Sequence, residues 1–154
     1  MSPAVVLTLL AAAANGILAG FSLEVALVKL PARRRIGAVA FATFARGADL
    51  GNGKVVYPVV AVAAALLTFA ATLVAVLGRS PAPAMGSLSV ASLASILHFV
   101  TTAKAAPIML GIKDTPDDAA LLADRLEAFE RWHAARAALQ VLTFLVLLWA
   151  LVSS

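Results

Sequence analysis

The stretch ERWHAARAALQVLTFLVLLWALV, residues 130–152, joins a charged and aromatic segment to a continuous apolar run. The run itself, 137–152, is shorter than the roughly 20 residues that a helix needs to cross the ~30 Å hydrocarbon core of a bilayer. A crossing helix must therefore draw on residues 133–136 as well. Glu130, Trp132, His133 and Arg136 then lie on the last turns at the membrane boundary. They form either an interfacial belt, with Trp132 at headgroup depth, or one wall of a site that reaches into the membrane.

The composition is that of an integral membrane protein. Of 154 residues, 62% are hydrophobic and 13% are charged, whereas soluble domains are near 45–50% apolar and about 25% charged. The chain has no cysteine, which excludes disulfides, thiolate metal sites and thiol catalysis. Its net charge of +4 comes without a basic patch interleaved with aromatic residues, so we expect no nucleic-acid partner.

Four apolar segments predict the fold, and they are residues 4–30, 55–78, 87–112 and 133–152. They predict an all-α, membrane-embedded four-helix bundle that forms a single domain over residues 1–154. Because the first segment is long and lacks a basic leading region, we expect it to be a retained helix. Thr115, followed by Pro116, is a helix-start signal. It predicts a fourth helix from about residue 116 to 152, extended on the cytoplasmic side.

The distribution of lysine and arginine predicts the orientation. All but one of the 12 cations lie in or near the first and third connections, and the second connection holds only Arg79. Because cytoplasmic loops carry an excess of Lys and Arg, we expect both termini outside and the two larger loops in the cytoplasm. The expected location is the inner membrane of a bacterium.

Polar residues fall at two depths when each helix is given a rise of ~1.5 Å per residue. The residues near the middle of their helices are Asn15, Thr68, His98 and Thr143. The residues near the cytoplasmic ends are Glu24, Tyr57, Lys104 and His133. Ionisable side chains at such depths cost about 2.5–3.5 kcal/mol and usually mark function, although Lys104 lies close enough to the boundary to snorkel to water instead.

Gly16, Gly20 and Glu24 follow one another at intervals of four residues on the first helix. Small residues at this spacing let two helices approach closely. The stripe is therefore expected to turn Glu24 toward a neighbouring helix. It also predicts a homo-oligomer that forms through Gly16 and Gly20.

His133 has Glu130 and Arg136 within three residues on either side, and side chains at this spacing can meet on a helix. An imidazole tuned by a carboxylate and a guanidinium can act as a base near neutral pH. His98 has two interpretations that stay open. One is a hydrogen bond to Asn15 or Thr68, and the other is a role as base, ligand or substrate donor.

Both histidines are also candidate haem or metal ligands, because helix bundles host such sites in their cores. The estimated depths of His98 and His133 differ by ~15 Å, which disfavours ligation of one haem by both. A single axial histidine stays open. No set of three protein ligands for zinc or iron is evident around His98.

Three stretches carry a resemblance to a known family: "NGILAGFSLEVALVKLPA", "TTAKAAPIMLGI" and "ERWHAARAALQVLTFLVLLWAL". In order and spacing they cover nearly the whole chain. The chain resembles the anthrone oxygenase-like family of small four-helix membrane proteins (domain of unknown function 1772). The resemblance implies a monooxygenase that uses O₂ to oxidise a polyketide anthrone, or a similar quinol-like aromatic, without a required cofactor. Met109 stands where the family often has asparagine.

On this hypothesis His133 is the base, oriented by Glu130, and Arg136 or Lys104 holds the oxyanion. His98 serves the buried peroxide. The expected substrate-binding residues are Asn15, Glu24, Tyr57, Lys104 and Trp132. Two further hypotheses stay open: an oxidoreductase that binds haem or a metal through His98 or His133, and a non-enzymatic transporter or accessory subunit.

Overall fold

The computed structural model describes residues 1–154 and consists of four long helical units joined by short turns. We label them α1 (Pro3–Ile36), α2 (Ala38–Leu77), α3 (Ala82–Asp114) and α4 (Ala119–Val152). No strand is present. The predicted all-α four-helix bundle is therefore confirmed. Each of the four units is long and apolar enough to cross a membrane by its length and composition.

The segment between the first two predicted spans is helical rather than a loop. Beyond Glu24, α1 continues as a π-helical turn, Val25–Lys29, and then as an α-helix to Ile36. Gly37 separates α1 from α2 with a φ of 88°, a left-handed conformation that costs glycine little because it has no Cβ. After this break the chain becomes helical again at Ala38–Gly47, a segment rich in alanine, the strongest helix former.

A second irregular segment lies within α2. Residues Ala48–Gly53 are π-helical, and Gly51 has a non-helical ψ of −109°. Lys54–Leu77 then runs as one α-helix with Pro58 in its second turn. We call the end of the bundle that carries these segments and the α3–α4 turn the basic end, because it holds all but one of the chain's 12 lysines and arginines.

The fourth helix begins slightly later than the sequence predicted. Asp118, not Thr115, is its N-cap, and the Asp118 carboxylate accepts a hydrogen bond from the Leu121 backbone N–H at 2.9 Å. The Thr115 hydroxyl instead donates to the Gly111 carbonyl at 2.7 Å. Arg46 braces this turn by donating to the carbonyl oxygen of Thr115 and to Asp117, both at 2.7 Å.

Two apolar clusters form the core. The cluster at the basic end is built from large side chains such as Leu30, Phe41 and Phe129, and the opposite cluster is mostly alanine. Small residues at the far end let the helix backbones approach closely, as is common in membrane bundles. Polar side chains fill the layer between the two clusters.

The glycine stripe of α1 is used within the chain at one of its two positions. A Cβ added at Gly16 would lie 3.0 Å from Phe144 Cε2, so α1 packs closely on α4 here. Gly20 faces open space. Gly16 is thus occupied by a contact within the chain, and a homo-oligomer through Gly16 and Gly20 stays a prediction. Glu24 does not point into a neighbouring helix either, because its side chain is 48% exposed and pairs with Lys29.

Candidate functional site

A cavity of about 280 Å³ lies between the helices in the half of the bundle nearest the basic end. Its volume is near the lower limit of the ~300–1,000 Å³ typical of small-molecule sites. Apolar side chains from all four helical units line most of it, among them Phe21, Phe41, Phe99, Met109 and Phe129. The polar side chains that face it and matter here are Asp49, Tyr57, His98, His133, Arg136 and Gln140.

His133 and Arg136 form a short polar contact in the cavity wall. The imidazole has no exposed surface. Its Nδ1 lies 2.7 Å from Arg136 Nη2, and its Nε2 lies 3.0 Å from the Ser22 carbonyl oxygen. A guanidinium can only donate, so Nδ1 must accept from Arg136, and Nε2 must carry the proton that it donates to Ser22. His133 is thereby fixed as one neutral tautomer with both nitrogens engaged.

This geometry corrects the role predicted for Glu130. Its carboxylate does not contact His133 and instead binds Arg33 at 2.8 Å and Arg34 at 3.2 Å. Both arginines lie in the last turns of α1, a segment that the sequence suggested to be a connection. Two guanidiniums bind a carboxylate far more strongly than a neutral imidazole does. Glu130 therefore ties α1 to α4 outside the cavity.

Arg136 has no carboxylate partner. Four other arginines, namely Arg33, Arg34, Arg46 and Arg131, form ion pairs. The only hydrogen bond of Arg136 goes to His133, and its buried Nε has no partner. The cavity is thus lined by a cation whose charge no anion of the protein neutralises.

His98 lies at the deep end of the cavity and contacts Gln140 rather than Asn15 or Thr68. The distance between His98 Nε2 and Gln140 Nε2 is 2.7 Å. Asn15 and Thr68 bind each other instead, at 3.0 Å. The hydrogen bond expected between His98 and Asn15 or Thr68 is therefore absent, and the other interpretation of His98, as base, ligand or substrate donor, stays a prediction.

Unpartnered polar atoms are concentrated at the cavity. Four buried side-chain atoms of the protein have no hydrogen-bond partner, and three of them belong to cavity-lining residues: Arg136 Nε, Gln140 Oε1 and Thr102 Oγ1. Buried polar atoms are nearly always satisfied by protein or by an ordered partner, and each exception calls for an explanation. One donor, one acceptor and one hydroxyl of cavity-lining residues are therefore unsatisfied, and a ligand or water would reach them only after these side chains shift.

The cavity wall carries a second polar group, centred on Asp49. The Tyr57 hydroxyl donates to Asp49 Oδ1 at 3.2 Å, and Lys29 Nζ lies 3.5 Å from the same oxygen. Tyr57 is held between the Phe21 ring, at a centroid distance of 5.7 Å, and Gly53, where a Cβ would come within 2.8 Å of the tyrosine ring. The missing side chain at Gly53 is what lets the phenol reach Asp49.

The remaining predicted site residues lie outside the cavity. Lys104 and Trp132 are exposed, Glu24 is half-exposed, and Asn15 is buried against Thr68. Four residues at the site were not predicted from the sequence, namely Ser22, Asp49, Thr102 and Gln140. Of these, Gln140 had a signal, because it continues the helical stripe of His133 into the apolar run.

The structure also bears on the haem and metal hypothesis. No three His, Asp or Glu side chains are arranged to hold a metal ion. Both ring nitrogens of His133 are engaged, so a bond to iron would have to break its contact with Arg136 or with Ser22. His133 therefore does not fit an axial ligand. His98 Nδ1 has no hydrogen bond, and single ligation by His98 stays a hypothesis.

No family model matches the chain, and neither a curated protein nor a solved structure matches it. The resemblance to anthrone oxygenase-like proteins therefore stays an expectation, and a functional proposal has to rest on the cavity.

Proposed function

We propose that this chain is a membrane-embedded oxidoreductase that binds a flat, hydrophobic aromatic molecule with a weakly acidic C–H or O–H group and presents its anion to O₂. An anthrone or a quinol has this chemistry. The reaction needs no further cofactor on this proposal. The expected resemblance to anthrone oxygenase-like proteins agrees with it but does not carry it.

The observation that carries the proposal is the unpaired positive charge of Arg136 at the cavity. A charged residue within a membrane helix costs about 2.5–3.5 kcal/mol even on insertion scales, and most such charges are paired. Arg136 is not paired with an acid, and it faces an otherwise largely apolar cavity. A ligand that becomes negative during the reaction would supply the missing charge. Such stabilisation of a developing oxyanion in a dry site is usually the largest single contribution to catalysis.

The buried polar atoms without a hydrogen-bond partner indicate which functional groups the ligand carries. After a small shift of the two side chains that exposes these buried atoms to the cavity, Arg136 Nε would donate to a carbonyl oxygen or an oxyanion, and Gln140 Oε1 would accept from a hydroxyl group. An aromatic molecule that carries both a ketone and a phenol satisfies the two at once. The apolar walls would pack against its rings, and O₂ would be soluble in the apolar cavity.

The overall reaction balances without an external reductant. The ligand CH₂ group loses a proton, and the resulting enolate passes one electron to O₂, giving a ligand radical and superoxide. These combine and take up a proton from solvent to form a hydroperoxide, which loses water to leave a ketone. One O₂ thus converts one CH₂ group into one C=O group and one water molecule.

We further propose the inner membrane of a bacterium as the location, with both termini outside. The cavity then opens toward the cytoplasmic side. The concentration of lysine and arginine at the basic end supports this orientation. Reaction with a hydrophobic substrate at this depth would allow entry from the adjoining leaflet.

The test compares Arg136→Gln with Arg131→Gln, a matched change at an exposed arginine of the same helix. The protein in lipid nanodiscs is given 1,8-dihydroxyanthrone in air, and quinone formation is corrected for the spontaneous rate in empty nanodiscs. We expect Arg136→Gln to lose about 100- to 1,000-fold in rate, as for removal of one oxyanion donor, and Arg131→Gln to match the wild type. A wild-type rate equal to that of empty nanodiscs, or full activity of Arg136→Gln, would overturn the proposal.

A further inference from the structure

A row of polar groups runs from the cavity to the surface of the basic end. It begins with Tyr57 and Asp49 at the cavity wall, passes through Lys29, and ends at Glu24. We propose that Asp49 accepts the proton that the bound ligand loses and that Lys29 hands it on to Glu24 for release to water. This inference rests on the proposed function, since it assigns the base of the same reaction.

His133 cannot be that base in the geometry observed. The lone pair of its Nδ1 accepts from Arg136, and its Nε2 proton is donated to the Ser22 carbonyl. Taking up a proton would place two cations side by side and break the contact with Arg136. His133 is better understood as a positioning residue for the guanidinium.

His98 is a weaker candidate than Asp49 for a different reason. Its polar side-chain neighbour is the amide of Gln140, which does not readily accept and release protons. A proton taken up by His98 at the deep end of the cavity would have no titratable group to which it could move.

Asp49 has a free carboxylate oxygen that can accept the proton, and it contacts Lys29, through which the proton can leave. It is 8% exposed and lines the cavity. The contacts from Tyr57 and Lys29 both go to Oδ1, which leaves Oδ2 to receive the ligand's proton. Lys29 Nζ then lies 3.5 Å from Asp49 Oδ1 and 3.3 Å from Glu24 Oε2. The Phe44 ring, 5.7 Å from Lys29 Nζ, covers the ammonium.

The transfer balances over three groups. Once its carboxyl group has turned to bring the Oδ2 proton to Lys29 Nζ, protonated Asp49 gives that proton to Lys29 while the Lys29 ammonium gives one to Glu24. Asp49 and Lys29 return to their starting charges, and Glu24 becomes neutral. Glu24 is 48% exposed at the surface of the bundle. On the proposed orientation it lies near the cytoplasmic boundary, where it loses the proton to water. The net movement is one proton from the cavity to water.

Replacement of Lys29 by arginine tests the transfer directly. Arginine keeps the positive charge of the lysine but cannot release a proton at physiological pH. Lys29→Arg therefore retains a cation between the two carboxylates and removes only the transfer. Lys113→Arg is the matched control, because Lys113 is an exposed lysine of the basic end that forms no ion pair.

The experiment mixes wild-type protein and the variants Asp49→Asn, Lys29→Arg and Lys113→Arg with 1,8-dihydroxyanthrone in the absence of O₂. The anion absorbs at longer wavelength than the neutral ketone, so its formation is followed directly. Binding of the product, 1,8-dihydroxyanthraquinone, is measured in parallel as a check that the cavity is intact.

We expect Asp49→Asn to form the bound anion about 100-fold more slowly, within the usual range for loss of a general base. Lys29→Arg should form the first bound anion at the wild-type rate, because Asp49 is intact, but its steady-state oxidation of the anthrone in air should be slow, because the proton stays on Asp49. Both variants should bind the quinone as the wild type does. Lys113→Arg should be unaffected. Wild-type rates of anion formation in Asp49→Asn would exclude Asp49 as acceptor, and a wild-type steady-state rate of oxidation in air by Lys29→Arg would exclude proton transfer through Lys29. If wild-type protein forms no anion and binds no quinone, the proposed function fails instead.

Discussion

Replacement of His133 distinguishes a base from a positioning residue. The imidazole accepts from Arg136 at 2.7 Å and donates to Ser22 at 3.0 Å. Phenylalanine would fill the same space with neither bond. Glutamine keeps one acceptor and one donor at nearly the spacing of the two ring nitrogens, so it can replace both bonds, but it cannot act as a base near neutral pH. The two substitutions therefore separate the two roles.

The size of the effect follows from the bonds lost. In His133→Phe the guanidinium loses its one protein partner, and a hydrogen bond to a charged group contributes about 1.5–3 kcal/mol. If that amount is lost from the orientation of Arg136 toward the oxyanion, the rate falls by about 10- to 100-fold, since each 1.36 kcal/mol is tenfold. Loss of a general base would cost about 100- to 10,000-fold in either variant.

The assay is kcat/KM for oxidation of 1,8-dihydroxyanthrone, measured by O₂ uptake and quinone absorbance, with quinone affinity as the check on folding. We expect His133→Gln to retain most of the activity and His133→Phe to lose about 10- to 100-fold. If His133→Gln is as inactive as His133→Phe while it still binds quinone, the positioning role is refuted and His133 becomes the base again.

Three further predictions concern stability, packing and cofactor content. Glu130→Gln breaks the ion pairs with Arg33 and Arg34. Because the Arg33 side chain is only 11% exposed, we expect the free energy of unfolding, measured by thermal unfolding, to fall by about 1–3 kcal/mol. Unchanged stability of the variant would contradict this prediction. Gly16→Leu should destabilise the bundle because its Cβ would meet the Phe144 ring at 3.0 Å, whereas Gly20→Leu should leave the melting temperature unchanged and alter cross-linking only if copies associate there. The absorption spectrum of the purified protein, before and after dithionite, should have no Soret band, and a band that shifts on reduction would favour the haem hypothesis.

The four helices could be predicted from the sequence because each needs a long apolar run, and the chain has four. The helical segments between the first two runs could not. Arg33 and Arg34 lie in a stretch that composition marks as a charged connection, yet Glu130 of a distant helix binds both. Contacts between residues so far apart in the chain leave no local signal.

The site could be predicted only in part, because helical phase indicates which residues share a face but not which distant residues meet. His98 and Lys104 are six residues apart on one helix, which turns them roughly 120° away from each other, so only one could face the cavity. Helical phase would therefore have shown that His98 and Lys104 cannot both be site residues. Asp49 is different, because it comes from a π-helical segment with a non-helical residue at Gly51. Nothing in its local sequence indicates that it turns back to meet Tyr57.

The charges of the site form a consistent sequence of states. Before reaction, Lys29 is balanced by Asp49 and Glu24, while Arg136 has no counter-ion. On the proposed mechanism the ligand gives its proton to Asp49, the new anion lies against Arg136, and Lys29 keeps Glu24 as its partner. Every cation then has one anion, because the transfer has moved one negative charge from Asp49 to the ligand beside Arg136. Since separated charges are costly in a low-dielectric interior, the unpaired guanidinium itself favours ionisation of the ligand, which is the step on which reaction with O₂ depends.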